Sequence, residues 1–315
     1  MDKTLQKIAN ILTLNVHNID NISLLEGKMG ILLFYYKYGR YSGNKFYSDM
    51  ADDLLDEVYV KLKNPQNISF DQGVIGIAWG IRYLIRNNFV EGNPKEILSD
   101  IESLLISRYI NDSQSQIPIS IIGVYLHSMI TDEVDIEKLK DLISVIIKKY
   151  EFNFILFLNN AKSITYINSA LFTLSILENH LEYKSQVYRI INKILLHLLY
   201  NNYIENIDIY DIKILFKLLS LYKFSSDEKD KVVEKLNFLF NNSENKFPLN
   251  YLWQNFIYFP NDNINIKEVD KYINDYFIFL PQENTLSIHK GLSSIGLNLL
   301  ASCQRRDENS NIRYI

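Results

Sequence analysis

The sequence has one cysteine, Cys303, among 315 residues. One thiol excludes a disulfide within the chain and any metal site that needs two or more cysteines. It fits a reducing compartment. Glycine is also scarce, at 11 residues, about half the usual share of roughly 7%. There are six prolines, none of them between residues 119 and 247, and no glycine falls between 124 and 290. An all-β chain needs many Gly and Pro turns, and a dinucleotide fold needs Gly-rich loops after its strands. This chain supplies neither. No apolar run approaches the roughly 20 residues that span a bilayer; stretches such as Ile31–Tyr36 are far shorter. Basic residues do not cluster, and the net charge is −4. That speaks against nucleic acid, whose phosphates require grouped Lys and Arg.

What remains is an ordinary globular composition, 47% hydrophobic and 22% charged, arranged for long helices with polar connections. Near the N-terminus, Leu5, Ile8, Ile11 and Leu12 recur at helical spacing. They do not form the continuous apolar block of a signal peptide. The chain is expected to be soluble and cytoplasmic.

Two patterns stand out early. Residues Leu25-Glu26-Gly27-Lys28-Met29-Gly30-Ile31 and Asp71-Gln72-Gly73-Val74-Ile75-Gly76-Ile77 each read G-x-x-G and open an apolar run. A third copy, Ser120-Ile121-Ile122-Gly123, has Ser in the first slot, and a last copy, Gly291-Leu292-Ser293-Ser294, has Ser in the second. The interval from Gly27 to Gly291 divides into six steps of 44 residues. The intermediate steps fall on eroded copies near Tyr166-Ile167-Asn168, Ile209-Tyr210-Asp211 and Leu252-Trp253-Gln254-Asn255. A period of this size marks a helical-repeat architecture. Each unit reads as an apolar inner helix, a loop and an amphipathic outer helix. In the first unit these are Gly30–Tyr38 and Ser48–Leu62; in the second, Ile77–Arg86 and Lys95–Tyr109, with Asn93 as cap and Pro94 at the first position. About seven such hairpins are expected to close into a ring, with an open superhelix as the other option. Gly27, Gly30, Gly73, Gly76, Gly123 and Gly291 are read as structural. They permit either close packing of neighbouring inner helices or a positive φ at the turn leading into them. A phosphate cradle is the weaker reading, since no P-loop Lys-Ser/Thr follows.

This order and spacing resembles the lanthionine synthetase C-like (LanC-like) family. Gly73-Val74-Ile75-Gly76-Ile77-Ala78-Trp79-Gly80 carries the resemblance most strongly, and Gly291 to Leu297 is similar to the family's final repeat. The resemblance implies an all-α chain, one α/α toroid domain over residues 1–315. It implies a place in the maturation of ribosomally made peptides, with a precursor peptide and a lanthipeptide dehydratase as partners. Catalytic members add a zinc-bound cysteine thiolate of the peptide to a dehydrated Ser or Thr. Their zinc sits on two Cys and one His with an open fourth position. Here the matching positions depart from that pattern. The Cys-His-Gly of the sixth repeat is replaced by Trp253-Gln254-Asn255, and the His-Gly of the fourth by Ile167-Asn168. No zinc, and no other cofactor, is expected. The expected role is that of a zinc-free, degenerate cyclase or a peptide- or dehydratase-binding subunit. A pure interaction scaffold and a six-hairpin carbohydrate enzyme are the alternatives.

The polar residues with a claim on a cavity are Asp71, His127, Trp253, Gln254 and His289. Asp71, His127 and His289 are conceivable metal ligands, but their spacing follows no known ligand pattern, and ordinary core or surface roles are the stronger reading. His289-Lys290 is a candidate anion site or a solvated loop pair. Glu26 and Asp71 precede equivalent glycines and are a conceivable acid/base pair; favourable placement against the helix dipole explains them as well. Tyr251, Trp253, Phe256, Tyr258 and Phe259 form an aromatic cluster suited to core filling or to a peptide groove. Asp227-Glu228-Lys229-Asp230-Lys231 reads as a solvated helix start. No Ser-His-Asp or G-x-S-x-G arrangement is present. Cys303, placed near a loose chain end, makes a poor nucleophile.

Overall fold

A computed structural model describes residues 2–62, 67–111, 119–132, 136–158, 163–200, 209–241, 249–259, 286–289 and 291–310. All regular structure among them is helical. The helices are α1 (Asp2–Asn15), α2 (Lys28–Ser42), α3 (Lys45–Lys61), α4 (Val74–Arg86), α5 (Pro94–Ile97), α6 (Ser99–Asn111) and α7 (Ile119–Thr131), followed by α8 (Lys140–Leu158), α9 (Ser163–Leu177), α10 (Lys184–Tyr200), α11 (Ile209–Ser220), α12 (Asp227–Asn241), α13 (Leu249–Tyr258) and α14 (Leu292–Ser310).

The expected period is visible in these boundaries. Helices α2, α4, α7, α9, α11, α13 and α14 begin at residues 28, 74, 119, 163, 209, 249 and 292, which is 264 residues in six steps of 44 on average. These are the inner helices. The outer ones, α3, α6, α8, α10 and α12, alternate with them. Inner helices are buried all round: every residue of α2 from Lys28 to Gly39 is buried, as is every residue of α4 from Val74 to Leu84. Outer helices bury one stripe. In α10 it is Val187, Ile190, Ile191, Ile194, Leu195 and Leu198, the spacing of one helical face.

The described residues form two compact units, residues 1–97 with 246–315, and residues 98–245. In the first, α14 packs on α13, α1 and α2, and α2 packs on α3, α4 and α1. In the second, α7 packs on α9 and α9 on α11, while α6, α8, α10 and α12 make a parallel row of outer contacts. In both units inner helices pack on inner helices, and in the second unit outer helices also pack on outer ones, the layering of an α/α fold.

Local chemistry sets the boundaries. Asn44 Oδ1 accepts the Phe46 N–H at 3.1 Å, and Gly43, with φ +67°, ends α2. Asn93 Oδ1 accepts the Lys95 N–H, as expected of a cap. Ser226 Oγ accepts the Lys229 N–H at 3.1 Å, so Asp227 starts α12 as expected. Two expectations are corrected. The inner helices begin directly after Gly27 and Gly73 rather than at Gly30 and Ile77. The outer helix read from Lys95 to Tyr109 is interrupted at Leu98, which is fully buried.

The glycines act by close approach and not by positive φ. Gly27 and Gly73 have φ −131° and −124°, extended values open to any residue. A Cβ there would lie within 3.0 Å of the backbone of the preceding loop, at Asn21 and Ser23 or at Asn67 and Ser69. The second glycines meet two loops at once. Gly30 faces Leu24 O of its own loop and Ile288 of the last repeat's loop; Gly76 faces Phe70 O of its own loop and Leu24 of the first. Leu24, Phe70 and Ile288 occupy the same repeat position, six residues before the second slot. In the other unit Gly123 faces Thr173 and Tyr150. Gly291 is buried at the start of α14.

Candidate functional site

The loops before the inner helices share a construction that extends upstream of the glycines. Asn21 Oδ1 accepts the Ser23 N–H at 2.8 Å, and Asn67 Oδ1 accepts the Ser69 N–H at 2.9 Å. The carbonyls of the same asparagines take the first helical N–H groups, from Lys28 at 2.9 Å and Val74 at 3.0 Å. These N–H groups have no intrahelical acceptor, so the loop caps its own helix. The sequence signal was Asn-Ile-Ser, present at both 21–23 and 67–69.

Adjacent loops are hydrogen bonded to each other. The His289 N–H donates to Leu25 O at 2.8 Å, and the Leu25 N–H donates to Asp71 O at 3.2 Å. His289, Leu25 and Asp71 are equivalent repeat positions, so three loops are stitched in register. Their side chains form a polar rim. Gln72 Nε2 donates to Glu26 Oε2 at 2.7 Å, and His289 Nδ1 lies 3.8 Å from Glu26 Oε1, an ion pair when the imidazole is protonated. Two of the expected residues, Asp71 and His289, thus meet through the backbone of Leu25. Across the first two loops Glu26 is met by the amide of Gln72 and not by a second carboxylate.

From His289 the site continues along α13. The Trp253 ring stands edge-on to His289 at 6.0 Å. One turn on, Phe256 packs on Trp79 at 6.0 Å and on Tyr83 at 5.5 Å, both from α4. Trp79 and Tyr83 are themselves stacked at 5.5 Å. Into this cluster runs Lys37 of α2, its Nζ 6.0 Å from the Tyr83 ring centre and 5.9 Å from that of Phe256. Lys37 is 4% exposed. Burial, with the nearby charge of Arg40, lowers its pKa to about 8, and burial raises the Tyr83 phenol. Lys37 was not among the expected site residues, although a lysine inside Gly30–Tyr38, expected to be an apolar inner helix, was a legible signal.

The remaining expected residues divide. Gln254 is buried in α13. Its neighbour Asn255 donates from Nδ2 to Asn298 Oδ1 at 2.8 Å, and Asn298 Nδ2 donates to Leu252 O at 3.0 Å and to Ser294 O at 2.8 Å. His127 belongs to the other unit. Its ring stacks on Phe172 at 4.0 Å, and Thr131 Oγ1 donates to its backbone carbonyl. Lys290, and the side chain of Tyr251, lie outside the described residues. Cys303 does not sit on a loose end. It is 3% exposed inside α14, with Sγ 3.2 Å from Leu299 O.

Zinc on the family's scheme does not fit these residues. The sixth-repeat slot presents an indole and two carboxamides, Asn255 is committed to Asn298, and the single thiol is packed against its own helix. Among the described residues no three His, Cys, Asp or Glu side chains are grouped as metal ligands.

Residues 18–117 match the family model of lanthionine synthetase C-like proteins. The matched segment, about a third of the chain, contains both intact G-x-x-G loops, Lys37 and the aromatic pair of α4, and in it the chain is similar to LanC-like proteins. No curated protein and no solved structure matches the chain. The all-helical composition and the 44-residue recurrence of inner helices agree with the α/α toroid class of LanC-like proteins. Among the described residues no helix is long and apolar enough to cross a membrane.

Proposed function

We propose that this LanC-like protein binds a ribosomally made precursor peptide during lanthipeptide-type maturation, without the zinc-thiolate chemistry of the family's cyclases. The carrying observation is the family match over residues 18–117, the segment that contributes Glu26 and Gln72 to the loop rim and Lys37, Trp79 and Tyr83 to the aromatic cluster. The absence of a second cysteine anywhere in the sequence argues against a Cys₂His metal site. The half-buried Glu26, His289 and Trp253 offer a polar end and an aromatic end, suited to a peptide with both kinds of side chain. A dehydratase acting on the same peptide is the second partner proposed, with the cytoplasm as the shared compartment.

The test is direct. A fluorescent leader-bearing precursor, with dehydrated residues and free cysteines, is titrated with the protein. Ring closure is read separately by thiol alkylation and mass spectrometry. The expected result is saturable binding with alkylation unchanged from the protein-free control. No binding overturns the reading. Zinc-dependent loss of free thiols overturns the metal-free part of it.

A further inference from the structure

Lys37 is the one group in the site whose chemistry the loop rim does not account for. The Lys37 side chain is buried, and the contacts of its ammonium among the described residues are the faces of Tyr83 and Phe256. The charge that reaches it comes from Arg40, which is of the same sign. Arg40 is itself engaged elsewhere, donating to Asn87 O at 2.8 Å and Asn88 O at 2.7 Å and stacking on Phe89. With a pKa near 8, Lys37 is still largely protonated at neutral pH. A buried cation lacking a counter-charge is costly. A purely structural position in an apolar inner helix would be filled by Leu or Met. Two aromatic faces stabilise an ammonium from one side only, which leaves its other hydrogens directed at whatever completes the shell.

We propose that Lys37, Tyr83, Phe256 and Trp79 form a binding site for a carboxylate carried on an apolar or aromatic group. The carboxylate accepts from the Lys37 ammonium, and the apolar part lies against the Trp79–Phe256 pair. A peptide offers this chemistry from two sources, a C-terminal carboxylate beside an apolar residue or an acidic side chain next to one. The inference rests on the peptide-binding reading only for its natural ligand. The probes below contain no precursor peptide, so the two readings fail separately.

Calorimetric titration of the full-length protein uses three probes: N-acetylphenylalanine, its neutral amide N-acetylphenylalaninamide, and N-acetyl-Phe-Glu-amide, which carries its carboxylate on a side chain. The expected result is that at least one acid binds and that the amide binds at least tenfold more weakly. The stronger of the two acids identifies the source. Lys37→Met is expected to weaken the acid at least tenfold and to leave the amide unchanged. Equal binding of acid and amide, equal binding of acid by wild type and Lys37→Met, or no binding of either acid overturns the site. The acid–amide comparison is made on the wild-type protein, so the test survives a variant that fails to fold.

Discussion

The backbone N–H of His289 donates to the carbonyl of Leu25 at 2.8 Å, across more than 260 residues of sequence. Leu25 then donates onward to Asp71. Each bond joins the same position of two repeats, and each is accompanied by an apolar side chain placed on the next repeat's second glycine: Ile288 on Gly30, Leu24 on Gly76. The G-x-x-G motif therefore has a divided duty. The first glycine lets the loop fold back on its own helix. The second makes room both for its own loop's carbonyl and for the side chain of the neighbouring loop. The rim residues Glu26, Gln72 and His289 are held in place by this stitching.

Gly76→Ala should test the second duty. The added methyl would press on Phe70 O and on Leu24, a backbone atom and a packed side chain, neither free to yield. A loss of about 3 kcal/mol is expected from such overpacking. Gly43→Ala is the control. Gly43 has φ +67° but nothing within 4 Å of an added Cβ, so only the left-handed strain applies, about 1 kcal/mol. Urea unfolding of both variants checks the order. If Gly43→Ala is the more damaging, close approach is not what the motif supplies.

Much of this was legible in the sequence. The repeat of 44 residues needed only Gly27, Gly73, Gly123 and Gly291, and α9, α11 and α13 then fell near the eroded steps. The eroded repeats kept helical apolar spacing because burial demands it even where glycine is lost. The reason for the glycines was harder to read. An extended φ and a positive φ both permit glycine, and the sequence does not distinguish a clash with Asn21 from a turn requirement. The site was only partly legible. Asp71, His127 and His289 were grouped as conceivable ligands near inner-helix ends. Asp71 and His289 share a repeat position and are joined through Leu25, whereas His127 lies elsewhere in its repeat and in the other compact unit. Lys37 was missed because a single charge within an apolar run reads as an exception until its exposure is known.

Asn298→Leu should reveal a polar junction between α13 and α14. Its side chain accepts from Asn255 Nδ2 and donates to Leu252 O and Ser294 O, all buried. A leucine of similar size removes three hydrogen bonds while leaving their partners inside. The expected loss is about 3 kcal/mol, toward the upper end for breaking a buried network from one side. Asn298→Leu with Asn255→Leu should cost less than the sum of the single changes, because the orphaned amide is then absent. Strict additivity in thermal or urea unfolding would show that the two amides act independently.

Cys303 should be nearly inert in the folded protein. Its thiol is 3% exposed and directed at Leu299 O within α14, and a thiol shielded from solvent is slow to meet a reagent. With a coloured disulfide reagent, the native protein should react over hours, and the denatured protein at once with one equivalent. Rapid reaction of the native protein would mean that this part of α14 opens readily.

Lys37→Met should stabilise the protein at neutral pH. In the unfolded chain the amine has its ordinary pKa of 10.5, and in the folded chain about 8. Below about pH 8 both states hold the proton, and the folded state bears the full cost of a buried cation. Between about 8 and 10.5 the unfolded chain binds a proton that the folded one does not, so stability from this group rises with pH across that window. Above about pH 10 the buried phenols of Tyr35, Tyr36 and Tyr83 act in the opposite sense, because burial raises their pKa. The difference between wild type and Lys37→Met cancels the phenols and isolates the amine. At pH 7 the variant should be more stable by on the order of 3 kcal/mol. The gap should begin to close near pH 8 and be gone above 10.5. Urea unfolding at about pH 7, 9 and 10.5 measures it. A variant no more stable than wild type at pH 7 would mean that the ammonium is already compensated in the folded chain, and the carboxylate site would then lose its physical basis.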